Sequence, residues 1–162
     1  MKILLVDDHI SFCEGLISAI NRRRSDFEFN FESDAELVPN AILSKEKFDL
    51  IIVDLMMPGL GGIELVKYLN KQGNFIPVAV MSSVEDKETI QELFSMGILG
   101  YLPKYYSVEQ IIDAIEGCLK GSIHVPARYA DVIDIAGKVL SKTQKGKHIP
   151  KTKKSIGQTL TA

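Results

Sequence analysis

Three features are scarce in this 162-residue chain: cysteine, long apolar runs, and acidic residues near the end. The two cysteines, Cys13 and Cys118, lie inside helical patterns without metal-ligand spacing, so we expect buried, reduced packing residues. No apolar run approaches the roughly 18 residues that span a membrane, and the N-terminus lacks a basic segment followed by an apolar signal core. We therefore expect a soluble globular protein of the cytoplasm, without a membrane partner.

The net charge of −2 is unevenly distributed. Residues 1–137 hold all 21 acids and 12 of the 19 basic residues, a net charge of −9, whereas residues 138–162 hold seven lysines and no acid, a net charge of +7. The stretch 142–154 lacks a periodic apolar face, which predicts a solvated linker. Lysine runs can also bind phosphate backbones without sequence preference, and the two interpretations are compatible.

Strands and helices alternate five times along the first 120 residues. Short apolar or alternating runs predict strands at residues 3–6, 27–31, 50–53, 78–81 and 98–102. Helical spacing predicts helices at about 10–23, 39–45, 86–96 and 108–120, and another that carries Ile63, Val66 and Leu69. The alternating phenylalanines at 27–31 indicate a strand at the sheet edge. Five strand-helix repeats predict a doubly wound α/β domain.

A sixth amphipathic helix is predicted beyond Gly121. Its apolar residues repeat at helical spacing: Tyr129, Val132, Ile133, Ala136, Val139 and Leu140. This apolar face could pack on its own domain or against a second subunit, and the sequence leaves both interpretations open.

Polar side chains follow four of the predicted strands. Asp7 and Asp8 follow the first strand, Asp54 the third, Ser82 the fourth and Lys104 the fifth. Ligands of open α/β sheets bind at the carboxyl ends of the strands, so these side chains should converge there. Three carboxylates suit a hard cation such as Mg²⁺. A cation, a lysine and a hydroxyl together predict a site that stabilises a phosphoryl group.

The strand-end motifs resemble those of the receiver domain of two-component response regulators, the CheY-like family. They are Val6-Asp7-Asp8, residues 54–62 from Asp54 to Gly62, Ser82, and Gly100-Tyr101-Leu102-Pro103-Lys104. The resemblance covers about residues 1–124. It implies a flavodoxin-like, five-stranded parallel sheet of order 2-1-3-4-5 with helices on both faces.

The resemblance also implies a role for each site residue. Asp54 would accept a phosphoryl group from a sensor histidine kinase or a phosphotransfer protein. Mg²⁺ would be held by Asp7, Asp8, Asp54 and the backbone carbonyl of Met56. Lys104 would pair with the phosphoryl group and Ser82 would move toward it. The protein would then be a phosphoacceptor rather than an enzyme for external substrates.

Tyr101, three residues before Lys104, matches the switch aromatic of this family. Movement of Ser82 would leave room for Tyr101 to turn from an exposed to a buried rotamer. The surface formed by the fourth helix, fifth strand and fifth helix would change, and a homodimer is expected on phosphorylation.

Two features resemble the NarL/FixJ subgroup, whose members carry LuxR-type helix-turn-helix domains. His9 follows the acid pair, and Pro103 precedes the site lysine, where many receivers have a proline after it. Both a titrating and a loop-positioning role for His9 stay open. Residues 155–162 resemble the start of the helix-turn-helix domain. We expect a receiver domain at 1–124, a linker helix at 125–141, and a basic flexible tether at 142–162 leading to a missing DNA-binding domain that regulates transcription.

Two other classes of protein also place acids, a hydroxyl and a lysine at strand ends or share this fold. A Mg²⁺-dependent phosphohydrolase of the haloacid dehalogenase type needs Asp-x-Asp after its first strand, whereas Asp7 and Asp8 are adjacent and the chain leaves no room for a cap domain. A stand-alone receiver, or a pseudo-receiver that serves only as an interaction module, would keep the fold without a DNA-binding output. The full set of site residues argues against a pseudo-receiver.

Overall fold

The computed structural model describes residues 1–43 and 47–133. Its strands are β1 (Lys2–Val6), β2 (Glu28–Glu32), β3 (Leu50–Asp54), β4 (Val78–Ser82) and β5 (Gly100–Pro103). Its α-helices are α1 (Ile10–Asn21), α2 (Val38–Leu43), α3 (Gly62–Lys71), α4 (Lys87–Ser95) and α5 (Val108–Leu119). Short 3₁₀ helices cover Ala35–Leu37 and Ala127–Tyr129.

The five strands form one parallel sheet in the order β2-β1-β3-β4-β5, which confirms the predicted fold and places β2 at an edge. Every residue of β3 and β4 is buried, because helices cover both faces of the sheet. The strand order reverses direction between β1 and β3. The carboxyl ends of these two neighbours are therefore the natural ligand crevice of the fold.

The sheet separates two apolar cores. One face packs on α1 and α5 and includes Cys13, Ile20 and Cys118; the other packs on α3 and α4 and includes Leu65 and Leu93. Both cysteines are free and buried, as predicted, and burial raises the pKa of each thiol to about 12. At that pKa the thiols stay protonated at neutral pH and serve as packing groups.

Several element boundaries differ from the predictions by one or two residues. The fifth strand begins at Gly100 rather than at residue 98, because the chain leaves α4 through Gly97, whose φ is +91°. The fourth helix begins after Asp86, which instead caps it by accepting a hydrogen bond from the Thr89 N–H at 2.8 Å. The second helix begins at Val38, one residue before the predicted Pro39.

The segment after α5 differs more from its prediction. Residues 125–129 are not α-helical: Pro126 is extended, a 3₁₀ helix follows, and helical backbone runs from 130 to 133. Tyr129 and Val132 are buried in the core of the same domain. The rest of the predicted linker helix, 134–141, and the tether at 142–162 lie outside the described residues. Within the described residues, no helix has the length and apolar character needed to cross a membrane.

Candidate functional site

Three acids converge at the carboxyl edge of the sheet, as the sequence predicts. Asp54 ends β3, and Asp7 directly follows β1, whose Val6 pairs with Val53. Asp7 and Asp54 are 0% and 1% exposed, and Asp8 is partly buried. One potential ligand atom from each of Asp7, Asp8, Asp54 and the neighbouring His9 lies within 4.8 Å of the others.

Lys104 lies between two of the acids. Its Nζ is 2.7 Å from Asp7 Oδ2 and 2.9 Å from Asp54 Oδ2. A backbone hydrogen bond of 3.0 Å from the Lys104 N–H to the Ser82 carbonyl fixes the start of the loop after β5. Burial lowers the pKa of Lys104, but the bonds and charges of Asp7 and Asp54 outweigh it, so the pKa is raised. Lys104 is therefore a cation at neutral pH in this site.

The pKa of the Asp54 carboxylate is subject to opposing effects of its surroundings. Burial raises its pKa most, the hydrogen bond from Lys104 opposes this rise, and the nearby charge of Asp7 adds to it. The net result is a raised pKa. The Met56 N–H lies 3.3 Å from Asp54 Oδ1, so each carboxylate oxygen has one donor. A buried carboxylate with an excess of nearby negative charge gains from additional cations.

The oxygens of the acid cluster fit a hard cation. In the described part of the chain, Asp7 Oδ2 and Asp8 Oδ1 are buried and accept no hydrogen bond of good geometry. Lys104 compensates Asp7 Oδ2 by charge at 2.7 Å, but Asp8 Oδ1 has only His9 Nδ1 at 3.3 Å. Buried carboxylate oxygens without donors are costly, and a divalent cation such as Mg²⁺ would satisfy them. The donor set therefore fits the metal that the sequence predicts.

His9 belongs to this cluster, although its sequence position left its role open. Its backbone N–H donates to Asp7 Oδ1 at 2.9 Å, and its Nδ1 lies 3.0 Å from the same oxygen. Its ring remains 58% exposed. These contacts hold the Asp7 carboxylate in place at the start of α1.

Gly62 brings α3 close to the acid at the end of β3. A Cβ at this position would lie 2.1 Å from the Asp54 carbonyl oxygen and 2.7 Å from Leu55 Cα. Both contacts are with backbone, so they cannot be relieved by rotating a side chain. The glycines after Pro58 indicated a loop in the sequence, but this close approach was not predicted.

Ser82 and Tyr101 meet at the loop between β4 and α4, residues 83–86. Ser82 is buried, and its Oγ accepts a hydrogen bond from the Val84 N–H at 3.1 Å. Tyr101 is 0% exposed and its hydroxyl donates to the Val84 carbonyl. Burial raises the pKa of Tyr101 to about 12, so the hydroxyl remains a donor. Tyr101 thus occupies the buried position of the predicted switch.

These features agree with the match to known proteins. The family model of the response regulator receiver domain matches residues 3–116. The chain belongs to this family. Receivers are phosphoacceptors rather than enzymes of the usual kind, they work with histidine kinases, and their acidic clusters are typical Mg²⁺ sites.

The receiver resembles parts of longer regulators. It is 30% identical over 125 residues to the glycerol metabolism activator of Pseudomonas putida, covering 77% of this chain and 57% of that protein. It is 29% identical over 142 residues to the transcriptional regulatory protein LiaR of Bacillus subtilis, covering 88% and 64%. A solved two-component response regulator of the LuxR family from Aurantimonas sp. SI85-9A1 is 26% identical, with a TM-score of 0.73 over 85% of this chain and 97% of that chain. The chain therefore spans less than two thirds of the length of the two curated regulators.

Proposed function

We propose that Asp54 accepts a phosphoryl group from a phosphohistidine of a sensor histidine kinase or a phosphotransfer protein. The observation that carries this proposal is the position of Asp54: buried at the strand switch point, paired with Lys104 at 2.9 Å and flanked by a cation-binding set of acids. Burying charged groups costs desolvation energy, and clusters of buried, interacting ionisable groups are typical of functional sites. A phosphoryl site is the role that fits all members of this cluster.

The transfer would break one bond and form one. An Asp54 carboxylate oxygen attacks phosphorus, the phosphorus–oxygen bond forms, and the phosphorus–nitrogen bond breaks, with its electron pair leaving on the donor imidazole. Lys104 supplies fixed positive charge beside the phosphoryl oxygens. When bound by Asp7, Asp8, Asp54 and the Met56 carbonyl, Mg²⁺ would supply the further positive charge that phosphoryl oxygens need.

Phosphorylation would then change the contacts of Ser82. A phosphoryl group adds about −1.5 to −2 charges and three acceptor oxygens. The Ser82 hydroxyl can donate to one of them, since its bond from Val84 uses only its acceptor capacity. Lys104 would shift part of its contact to the new oxygens. These changes would alter the conformation of the loop 83–86, which follows Ser82 and contacts Tyr101 through Val84.

The output that we propose is regulation of transcription by a NarL/FixJ-type regulator. In this proposal residues 1–124 form the receiver domain, 125–141 link it, and 142–162 form a basic tether to a helix-turn-helix domain outside this chain. Phosphorylation would favour a homodimer, and DNA would be bound only by that further domain. The match to LiaR and to a LuxR-family regulator supports this assignment, and the cytoplasmic location predicted from the sequence belongs to it.

Beryllofluoride, which stands in for a phosphoryl group on aspartate, tests the proposal. With Mg²⁺ present, ¹⁹F NMR should show a bound beryllofluoride signal for the wild type and none for Asp54→Ala. Molecular mass measured in the same samples reports whether the dimer forms. A wild type that binds Mg²⁺ but no beryllofluoride would instead support the pseudo-receiver alternative.

A further inference from the structure

The segment after α5 follows the edge of the sheet that carries Tyr101. We call residues 122–133 the arm. Its His124 N–H donates to the Leu99 carbonyl at 2.7 Å, and its His124 carbonyl accepts from the Tyr101 N–H at 3.0 Å. The arm thus pairs with the backbone of β5. Among the described residues this pairing amounts to a single isolated β-bridge, between Gly100 and His124. A movement of Tyr101 would therefore change its backbone hydrogen bond to His124 of the arm.

The arm also contacts the loop between β4 and α4. The Tyr129 hydroxyl donates to the Glu85 carbonyl at 3.0 Å, and Arg128 Nη1 lies 2.9 Å from Glu85 Oε1. One helical turn further, Asp131 pairs with Lys87 at the start of α4. Opposite charges therefore meet at both ends of this contact, with Arg128 facing an acid and Asp131 facing a base.

Two tyrosines bind neighbouring carbonyls of the same loop. Tyr101 donates to the Val84 carbonyl from inside the domain, and Tyr129 donates to the Glu85 carbonyl from the arm. Both rings are buried in the same apolar cluster, together with Val132 of the arm. The loop begins next to Ser82, whose Oγ binds the Val84 N–H. Direct contacts thus run from Ser82 through two loop residues to the arm.

The arm is docked on the surface formed by β5 and the loop 83–86, and we propose that phosphorylation of Asp54 strengthens this docking. The inference rests on the proposed function of Asp54 and deepens it. A phosphoryl group that draws Ser82 and favours the buried Tyr101 also favours the loop arrangement to which Tyr129 and Arg128 bind. The arm would thereby carry the state of the site to residues 134–162.

The observations favour the arm over a second copy of the chain as the occupant. The arm is joined to α5 and already buries Val125, Tyr129 and Val132 on this surface. Its charged residues match those of the loop and α4. A second copy that used the same surface would have to displace these contacts.

Hydrogen–deuterium exchange of the full 162-residue chain tests the docking. With Mg²⁺ and beryllofluoride, amide exchange in residues 122–133 should slow by about fivefold or more, a usual size for allosteric coupling. Linkage is reciprocal, so weakening the arm must weaken beryllofluoride binding. Arg128→Ala and Tyr129→Phe should each raise the dissociation constant for beryllofluoride by about threefold to fivefold.

Two controls separate docking from general damage. Lys67→Ala removes an exposed ion pair of 3.3 Å between Lys67 of α3 and Glu92 of α4, neither of which pairs with the arm, and should leave beryllofluoride affinity unchanged. The exchanged pair Glu85→Arg with Arg128→Glu restores opposite charges and should recover most of the affinity lost in Arg128→Ala. Thermal unfolding confirms that each variant is folded.

The outcomes distinguish this inference from the proposed function. If the wild type binds no beryllofluoride, the assignment of Asp54 fails. If beryllofluoride binds but arm exchange is unchanged or faster, the docking inference is overturned while the assignment of Asp54 stands. Arm variants that bind beryllofluoride as tightly as the wild type would also overturn the inference.

Discussion

The ammonium group of Lys104 donates a hydrogen bond to Asp54 Oδ2 at 2.9 Å, joining residues that are 50 positions apart in the chain. The same Nζ lies 2.7 Å from Asp7 Oδ2. One cation therefore pairs with two buried acids at the ends of adjacent strands, and the three groups together keep a net negative charge. This arrangement holds the Asp54 carboxylate in place before any phosphoryl group or metal arrives.

Removal of the shared cation should destabilise the receiver. Lys104→Met leaves Asp7 and Asp54 buried without their common partner, and we expect a loss of roughly 3 kcal/mol in the free energy of unfolding at pH 7. Urea unfolding measures it. Lys67→Ala, which breaks an exposed ion pair, should cost less than about 0.5 kcal/mol. A Lys104→Met variant as stable as this control would show that Lys104 does not stabilise the acid pair.

Asp54→Asn should make the receiver more stable at neutral pH. The pKa of Asp54 is raised in the folded chain above its usual value of 3.8, chiefly by burial, so its ionisation opposes folding. The wild type loses stability as the pH rises from 3.8 to the raised pKa of Asp54. The asparagine variant does not ionise and keeps this stability. We expect a higher free energy of unfolding than the wild type at pH 7, and we expect this difference to disappear below the usual pKa. Thermal unfolding at several pH values checks both the sign and the disappearance.

Ser82→Ala should weaken both the loop and the phosphoryl site. The variant leaves the Val84 N–H without its acceptor, which should cost about 1 kcal/mol of stability. It also removes the hydroxyl that would donate to the phosphoryl group, so beryllofluoride affinity should fall by about tenfold. Titration followed by ¹⁹F NMR measures the affinity. Equal affinity in the variant and the wild type would remove Ser82 from the proposed switch.

Gly62→Ala should be far more damaging than a glycine substitution elsewhere. The new methyl group would lie 2.1 Å from the Asp54 carbonyl oxygen, so the start of α3 must move away from β3. We expect a loss of more than about 2 kcal/mol in the free energy of unfolding. Gly15→Ala is the matched control: in α1, a Cβ at this position would meet no atom within 4 Å apart from its chain neighbours and the backbone of its own helix. This substitution should stabilise the receiver by about 0.5–1 kcal/mol. Urea unfolding measures the free energy of unfolding of both variants. Similar values for Gly62→Ala and Gly15→Ala would contradict the predicted clash at Gly62.

The fold and the acid cluster could be predicted because their signals are local and strong. Four-residue apolar runs such as 50–53 have few other interpretations, and a side chain directly after a parallel strand must lie at the carboxyl edge. The third strand was predicted to end at Val53 but extends one residue further, to Asp54, which pairs with Met81 of β4. Boundaries shift more where turns decide them, as at Gly97 before β5.

The remaining features depend on contacts between distant parts of the chain. The sequence showed the apolar spacing of Tyr129 and Val132 but not that they dock beside Glu85, which lies 44 positions before Tyr129. It also could not place the ring of His9 among the acids, because a side chain at a helix start can point several ways. The buried Tyr101 likewise contacts a residue distant in the chain, since its hydroxyl donates to the carbonyl of Val84, 17 positions earlier.

Phosphorylation with a small-molecule phosphodonor tests the central claim most directly. Intact-mass spectrometry of the wild type with Mg²⁺ and the donor should show the addition of one phosphoryl group per chain, removable by hydroxylamine as expected for an acyl phosphate. Peptide mapping should place it on Asp54, and Asp54→Asn should show none. Labelling of Asp54→Asn to the same extent, or no labelling of a wild type that binds Mg²⁺, would contradict the assignment of Asp54 as the phosphoacceptor.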